Sequence, residues 1–226
     1  MRYPLSSLLI FLFSAFVCLA TANAAKETPR AAMVKIAEAT GIESFDQVRS
    51  LSYTFQARLG QKSVRREWTW RPQSDTVILH KRSDVGAVSY QRGQVEADES
   101  LAEVDQQFVN DAYWLLFPFQ VVWDDSVTIE ALPARAAEVF PEAEAGLRVR
   151  YPDGVGYTPG DVYDLFYDDN YRVTHWVFRK GGSATPTRSN YWVDYENFGG
   201  IDISLNRPSP DESFRIWFED VSIDLD

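Results

Sequence analysis

The side chains that could do chemistry are few and scattered. The chain carries two histidines, His80 and His175, and a single cysteine, Cys18. Each histidine sits in a strand-like apolar pattern, which suits a structural imidazole better than a base or a ligand. Acidic pairs stand at Asp124-Asp125, Asp168-Asp169 and Glu219-Asp220. Two carboxylates can act as acid and base on a glycosidic bond, provided the fold holds them about 5–10 Å apart. In this sequence the pairs read as solvated turn acids, and none shows calcium-loop spacing. No Gly-x-Ser-x-Gly elbow, His-Glu-x-x-His pair or phosphate-cradling glycine loop occurs. The expected function is therefore non-catalytic, with no cofactor and no metal. An acid-residue-dependent hydrolase is one alternative.

What the chain offers instead is rings, at 14% of its residues. Residues 108–123, FVNDAYWLLFPFQVVW, form its most aromatic apolar run. Trp68 and Trp70 share one face of a strand, and so do Trp176 and Phe178. Phe55 extends the same set. A sheet face rich in rings, opposite an aromatic helix, suits either a dry core or an acyl-sized cavity. The candidate ligand contacts are Trp68, Trp70, Phe108, Tyr113, Trp114, Phe117, Phe119 and Trp176. A filled core, in a structural or protein-binding domain, is the other alternative. Tyr157-Thr158-Pro159-Gly160-Asp161 predicts a tight turn, with a rim contact to a ligand as its functional reading.

Helices and strands must place these rings. Glu99–Leu116 carries Leu101, Val104, Phe108, Ala112 and Leu115 on one helical stripe. Pro118 should end that helix near Leu116 or Phe117, leaving Phe119–Trp123 extended. Ahead of it, Ala31–Thr40 predicts a short amphipathic helix capped by Gly41. From Val48 the period changes to two, and about ten or eleven short strands follow, interrupted by the central helix. They include Glu67–Trp70, Thr76–His80, Gly86–Tyr90, Thr128–Ala131, Leu147–Tyr151, Val162–Tyr167, Tyr171–Arg179, Asn190–Phe198, Ile201–Leu205 and Phe214–Leu225. Pro133–Ala145 reads as a partial helix or a loop. Asp168-Asp169-Asn170 and Gly199-Gly200 are hairpin turns. The apolar parity of the last strand switches between Phe218 and Val221, which predicts a bulge. Short connections throughout predict an α+β fold, mainly β. It would be one curved antiparallel sheet forming an open half-barrel, with a helical lid on one face.

The 226 residues fit a signal segment and one domain. Arg2, the apolar run Ser7–Ala20 and Ala22-Asn23-Ala24 form an export signal cleaved after Ala24. Residues 25–226 would then be a single periplasmic or otherwise exported domain. Val17 before Cys18 departs from a lipidation site, so Cys18 is expected to leave with the signal. Without it the domain forms no disulfide and no cysteine-based zinc site. A net charge of −11 argues against nucleic acid as a partner, because phosphate contacts need Lys and Arg.

The signal, the leading amphipathic helix, the curved sheet and the mid-chain helix together resemble the lipoprotein-carrier fold of the LolA/LolB type. That resemblance spans roughly Met33 to Asp226. It implies an open half-barrel lidded by helices, whose apolar hollow receives acyl chains in the periplasm. Its expected partners are a lipid or acyl chain, and a lipoprotein or envelope protein. Such carriers also use a basic residue near the pocket mouth, for which Arg58 and Arg65 lie in comparable strands. A closer likeness, to a family of uncharacterised exported bacterial proteins, rests on two motifs. These are Asn110-Asp111-Ala112-Tyr113-Trp114-Leu115-Leu116-Phe117-Pro118-Phe119 and Val155-Gly156-Tyr157-Thr158-Pro159-Gly160-Asp161-Val162-Tyr163.

Overall fold

The computed structural model describes residues 27–80, 86–133, 139–143, 145–154, 157 and 159–226. The export signal, Cys18 and part of the Pro133–Ala145 stretch lie outside the described residues. Helix α1 spans Pro29–Thr40, two residues longer at its start than its apolar spacing predicts. Thr28 caps it, accepting a hydrogen bond from the Ala31 N–H at 3.2 Å, and Pro29 supplies a preset φ at the first turn. Gly41, at φ +96°, ends it by returning its N–H to Ala37 and Glu38. Ala32, Met33, Ile36 and Ala37 are buried. A 3-10 segment, Ile42–Gln47, then leads into the strands.

Four strands follow as hairpins: β1 (Val48–Leu59), β2 (Lys62–Arg71), β3 (Thr76–Leu79) and β4 (Val88–Gln91). A 3-10 segment, Arg92–Ala97, delivers the chain to helix α2 (Glu99–Trp123). After it come β5 (Thr128–Leu132), β6 (Ala145–Arg150), β7 (Val162–Tyr167), β8 (Val173–Arg179) and β9 (Arg188–Tyr191). The chain closes with β10 (Val193–Phe198), β11 (Ile201–Pro208) and β12 (Phe214–Leu225). Every strand pair is antiparallel.

The expected α+β class stands, but the single sheet is two. One has seven strands in the order β10-β11-β12-β1-β2-β3-β4, the other five in the order β5-β6-β7-β8-β9. The segment Asn190–Phe198, expected as one strand, is cut at Trp192 into β9 and β10. Trp192 still donates its backbone N–H to Thr174 of β8 at 2.7 Å, and Asp194 just beyond it takes a left-handed φ of +55°. A left-handed residue rotates the strand out of one ladder and into the next. The two sheets stay stitched here, where the Asn190 amide donates to the Arg207 carbonyl at 2.9 Å.

The second correction concerns α2. The helix does not stop before Pro118, and Phe119–Trp123 is helical rather than extended. The proline instead kinks it at Leu116, with φ −124° and ψ 35°. An interior proline costs about 3 kcal/mol in a helix. Beyond the kink Phe117, Phe119 and Val121 are each fully buried. At about 1.5–3 kcal/mol per side chain, their burial outweighs that cost. Arg30 of α1 secures the far end, donating to the Val121 carbonyl at 3.3 Å and the Val122 carbonyl at 3.0 Å.

The third correction follows from the same helix, which buries more than one side. Phe108, Ala112, Leu115, Leu116 and Phe119 join the core of the larger sheet, with Trp68, Trp70 and Phe55. Phe117 and Val121 join that of the smaller sheet, with Leu147, Val149 and Trp176. Between the two cores α2 is a spine, where a lid on one face was expected. The bulge in the last strand is present. Register passes from Ser52 opposite Ser222 to Thr54 opposite Glu219, and Asp220 takes φ +53°. The turns at Asp168–Asn170 and Gly199-Gly200 are also as read from the sequence.

Gly41 gives a direct test of this packing. A Cβ there would stand 2.0 Å from the Gly200 carbonyl oxygen, at a φ that side chains resist. Gly41→Ala should therefore lower the unfolding free energy in urea by about 3 kcal/mol. Gly60→Ala, at φ +57° in open space, should cost only about 1–2 kcal/mol.

Candidate functional site

Where the two sheets diverge, beside the middle of α2, they leave a groove of about 420 Å³. One wall comes from Phe55, Ala57 and Val64, with Phe214 and Ile216 beside them. Tyr163, Phe178 and Arg188 form the facing wall, and Trp114 of α2 lies between. Two guanidinium groups lie over its rings: Arg66 is 5.0 Å from the Phe55 centroid and Arg188 is 5.1 Å from that of Phe214. Arg66 is neutralised by Asp111, whereas Arg188 makes its one described hydrogen bond to the Thr187 carbonyl, at 2.7 Å. A second hollow of about 310 Å³ shares Arg66, Asn110, Trp114, Tyr157 and Tyr163 with the first. A third, also about 310 Å³, opens on the other flank of α2 between Trp70, Phe108, Tyr113 and Tyr151. Tyr157 borders all three.

Two buried carboxylates hold the helix between these hollows. Asp111 is fully buried and receives Arg66 at 2.6 and 2.5 Å, the Trp68 indole at 2.8 Å and the Asn110 amide at 3.0 Å. Burial still pushes its carboxyl above the usual range, against the pull of Arg66. Asp105, six residues earlier, receives Arg92 at 2.9 Å, the Tyr90 hydroxyl at 3.0 Å and the Tyr157 hydroxyl at 3.0 Å. The helix motif and the Tyr157 motif therefore meet, a link that sequence spacing did not show. Tyr113 adds a second tie, donating to the Tyr151 hydroxyl at 2.6 Å. Burial pushes Tyr113 up to about 12 and Tyr151 higher still, so both phenols stay protonated at neutral pH.

The eight residues expected to touch a ligand fall into two groups. Trp114 lines the main groove, and Tyr113, Trp70 and Phe108 border the smaller hollows. Trp68, Phe117, Phe119 and Trp176 lie instead inside the two packed cores and border none of these three hollows. Arg58 and Arg65 are exposed on their strands, and Arg65 pairs with Glu67. The cations that do face the groove are Arg188 and, from β2, Arg66. The signal for Arg66 was its phase, because Val64, Arg66, Trp68 and Trp70 alternate onto one face.

The remaining chemistry is local. Asp124 and Asp168 each accept hydrogen bonds from their own turns, and Asp220 receives the Thr54 hydroxyl at 3.0 Å. His175 meets Glu142 at 3.2 Å, with burial lowering its pKa. His80 is exposed and pairs with Thr69 at 2.8 Å. Among the described residues, no three His, Cys, Asp or Glu side chains gather as a metal site.

The Asp111 clamp predicts non-additive energetics. Arg66→Met strands a buried carboxylate and should lower stability by about 3–5 kcal/mol. Adding Asp111→Leu should return part of that loss, read as a double-mutant cycle in urea. Simple additivity would mean that the pair is not coupled.

No family model matches the chain, and no curated protein matches its sequence. Among solved structures the fold is similar to a DUF1329 family protein from Desulfovibrio piger. That similarity has a TM-score of 0.45 and 10% identity, over 88% of this chain and 94% of that one. It is similar as well to a domain from Vibrio parahaemolyticus named for outer membrane lipoprotein sorting. Here the TM-score is 0.43 and the identity 11%, over 84% of this chain and 93% of that one. Both are likenesses of overall fold, and the second is the carrier-type resemblance expected from the order of helices and strands.

Proposed function

We propose that this chain is a non-catalytic binding or carrier protein for an apolar ligand, a lipid or the acyl chain of a lipoprotein. The observation that carries the reading is the groove beside α2. Phe55, Val64, Trp114, Phe178 and Phe214 give it apolar walls, with Arg66, Asn110, Asp161 and Arg188 set among them. Its volume falls in the range of small-molecule sites. Each methylene that leaves water contributes about 0.8 kcal/mol. Eight of them would supply roughly 6 kcal/mol before ordering costs, which corresponds to binding in the range of about tens of micromolar or weaker.

In this reading α2 is the inner wall of the site, and Trp114 is its main contact. The clamps at Asp105 and Asp111 hold the helix in place while the groove fills from the Tyr157 side. Trp68, Phe117, Phe119 and Trp176 support the wall from behind. The export signal expected from the sequence favours a periplasmic setting, where a lipoprotein or another envelope protein would supply or accept the ligand. The thin set of catalytic side chains favours binding over turnover.

The test is a titration with a fluorescent fatty acid. Trp114→Ala should weaken its binding at least tenfold while lowering the melting temperature by only a few degrees. Trp68→Ala should do the reverse, costing stability more than affinity. Equal binding by Trp114→Ala and wild type, or no binding by wild type, would sink the carrier reading. Native mass spectrometry of protein taken from its own periplasm should show a co-purifying lipid.

A further inference from the structure

Arg207 is fully buried on β11. It occupies the position in the strand alternation where Ile201, Ile203 and Leu205 point inward. Its guanidinium lies 3.8 Å from the Trp192 ring centroid and 4.9 Å from that of Phe218. Among the described residues, nothing accepts a hydrogen bond from Nε or from either terminal nitrogen. The neighbouring indoles repeat the pattern. The N–H groups of Trp192 and Trp176 are buried without an acceptor, and the two rings lie 5.8 Å apart. Each of these unpaired groups is a donor. Ring stacking offsets part of the cost of burying a cation, but it supplies no acceptor. Burial pulls the Arg207 pKa down to about 9, which leaves the group charged at neutral pH.

This donor cluster lies behind the groove. Arg207 is paired across the strands with Ile216, which lines it. Trp114, on the groove side, lies 4.0 Å from Trp176 by ring centroid. Rings this close are in contact, so a ligand head would reach the donors only after the Trp114 side chain swings aside.

We propose that Arg207 is a buried anion receptor that takes the carboxylate of a fatty-acid-like ligand, which enters head first. The deeper end of the site then holds the charge, and the acyl chain trails through the groove toward Tyr157. A planar carboxylate matches the guanidinium fork, and the Trp176 and Trp192 indoles stand ready for its remaining lone pairs. This rests on the carrier reading and adds a ligand class and an orientation to it. Arg188, half-buried near the surface, would gain less from an anion, because water already solvates it.

The experiment compares palmitate with hexadecanol by calorimetry and thermal shift on the purified protein. Wild type should bind the acid at least tenfold more tightly than the alcohol. Arg207→Met should bind both alike. Free of ligand it should also melt above wild type, because an unpaired buried charge has gone. Arg188→Gln should keep the preference for the acid, and acetate alone should raise the melting temperature far less than palmitate. Equal affinity of wild type for acid and alcohol would overturn the proposal and leave the carrier reading standing. Loss of the preference in Arg188→Gln would overturn it too, by putting the head at the mouth. A rise with acetate equal to that with palmitate would rule out the lipid assignment. Binding of neither palmitate nor hexadecanol would remove the carrier reading along with it. If Arg207→Met does not fold, the wild-type comparison and Arg188→Gln still decide.

Discussion

Two carboxylates without solvent fix where α2 can sit. An ionised group buried without partners costs several kcal/mol, so Asp111 and Asp105 tolerate few alternatives. Asp111 is satisfied only where it meets Arg66 and Trp68 of β2. Asp105 needs Tyr90, Arg92 and Tyr157 at the same time. Six residues apart, the two lie about 9 Å from each other along the helix axis. Such anchors set both the rotation and the axial position of the helix. The apolar stripe of Phe108, Ala112 and Leu115 would bury almost as well after a small rotation. The ion pairs would not survive one.

With the helix fixed, the division between core and groove follows. The Trp114 ring lies between the two packed clusters and reaches the groove. Phe117, three residues on, lies past the main bend and turns into the smaller sheet, 5.0 Å from the Trp176 ring. Neighbouring rings on one helix therefore have unlike roles. Phe117 locks the helix to a sheet, whereas Trp114 leaves one side free. The groove lies between strands of the two sheets, with Phe55, Val64 and Phe214 on one side and Tyr163, Phe178 and Arg188 on the other.

Much of this architecture was legible in the sequence. Alternation located β1, β2 and β6, and the parity switch after Phe218 located the bulge. Those signals are local, since each depends on residues within one strand. What escaped depends on distant partners. Pro118 marked a bend, but only the burial of Phe117, Phe119 and Val121 decides that the helix goes on. The division into two sheets turns on the conformation of Asp194, a residue whose type permits a left-handed φ without demanding it. A run of rings shows an apolar surface, and it cannot say which rings meet a neighbour and which meet a groove. The charged residues that matter, Arg66 and Arg207, were visible as cations in phase with apolar neighbours. That phase is the signal to weigh, because a strand seldom turns an arginine toward its core without a reason.

The two buried arginine environments show how such a reason can differ. Arg66 gives its Nε and Nη2 to Asp111, so its charge is engaged in holding α2. Arg207 has two aromatic faces and no acceptor among the described residues. A pair that is satisfied internally specifies the fold and has little left for a ligand. An unsatisfied donor set works in the opposite sense. It lowers the stability of the empty protein, and any anion that reaches it recovers the difference as binding free energy. Stability and affinity are then coupled through a single side chain. A groove lined with rings selects for chain length and greasiness, while a charge set behind it would select for the head. Apolar burial alone discriminates weakly between ligands that differ by one polar group, whereas a buried unpaired donor discriminates strongly. In the proposed reading these two kinds of selection would stand on adjacent layers of one site.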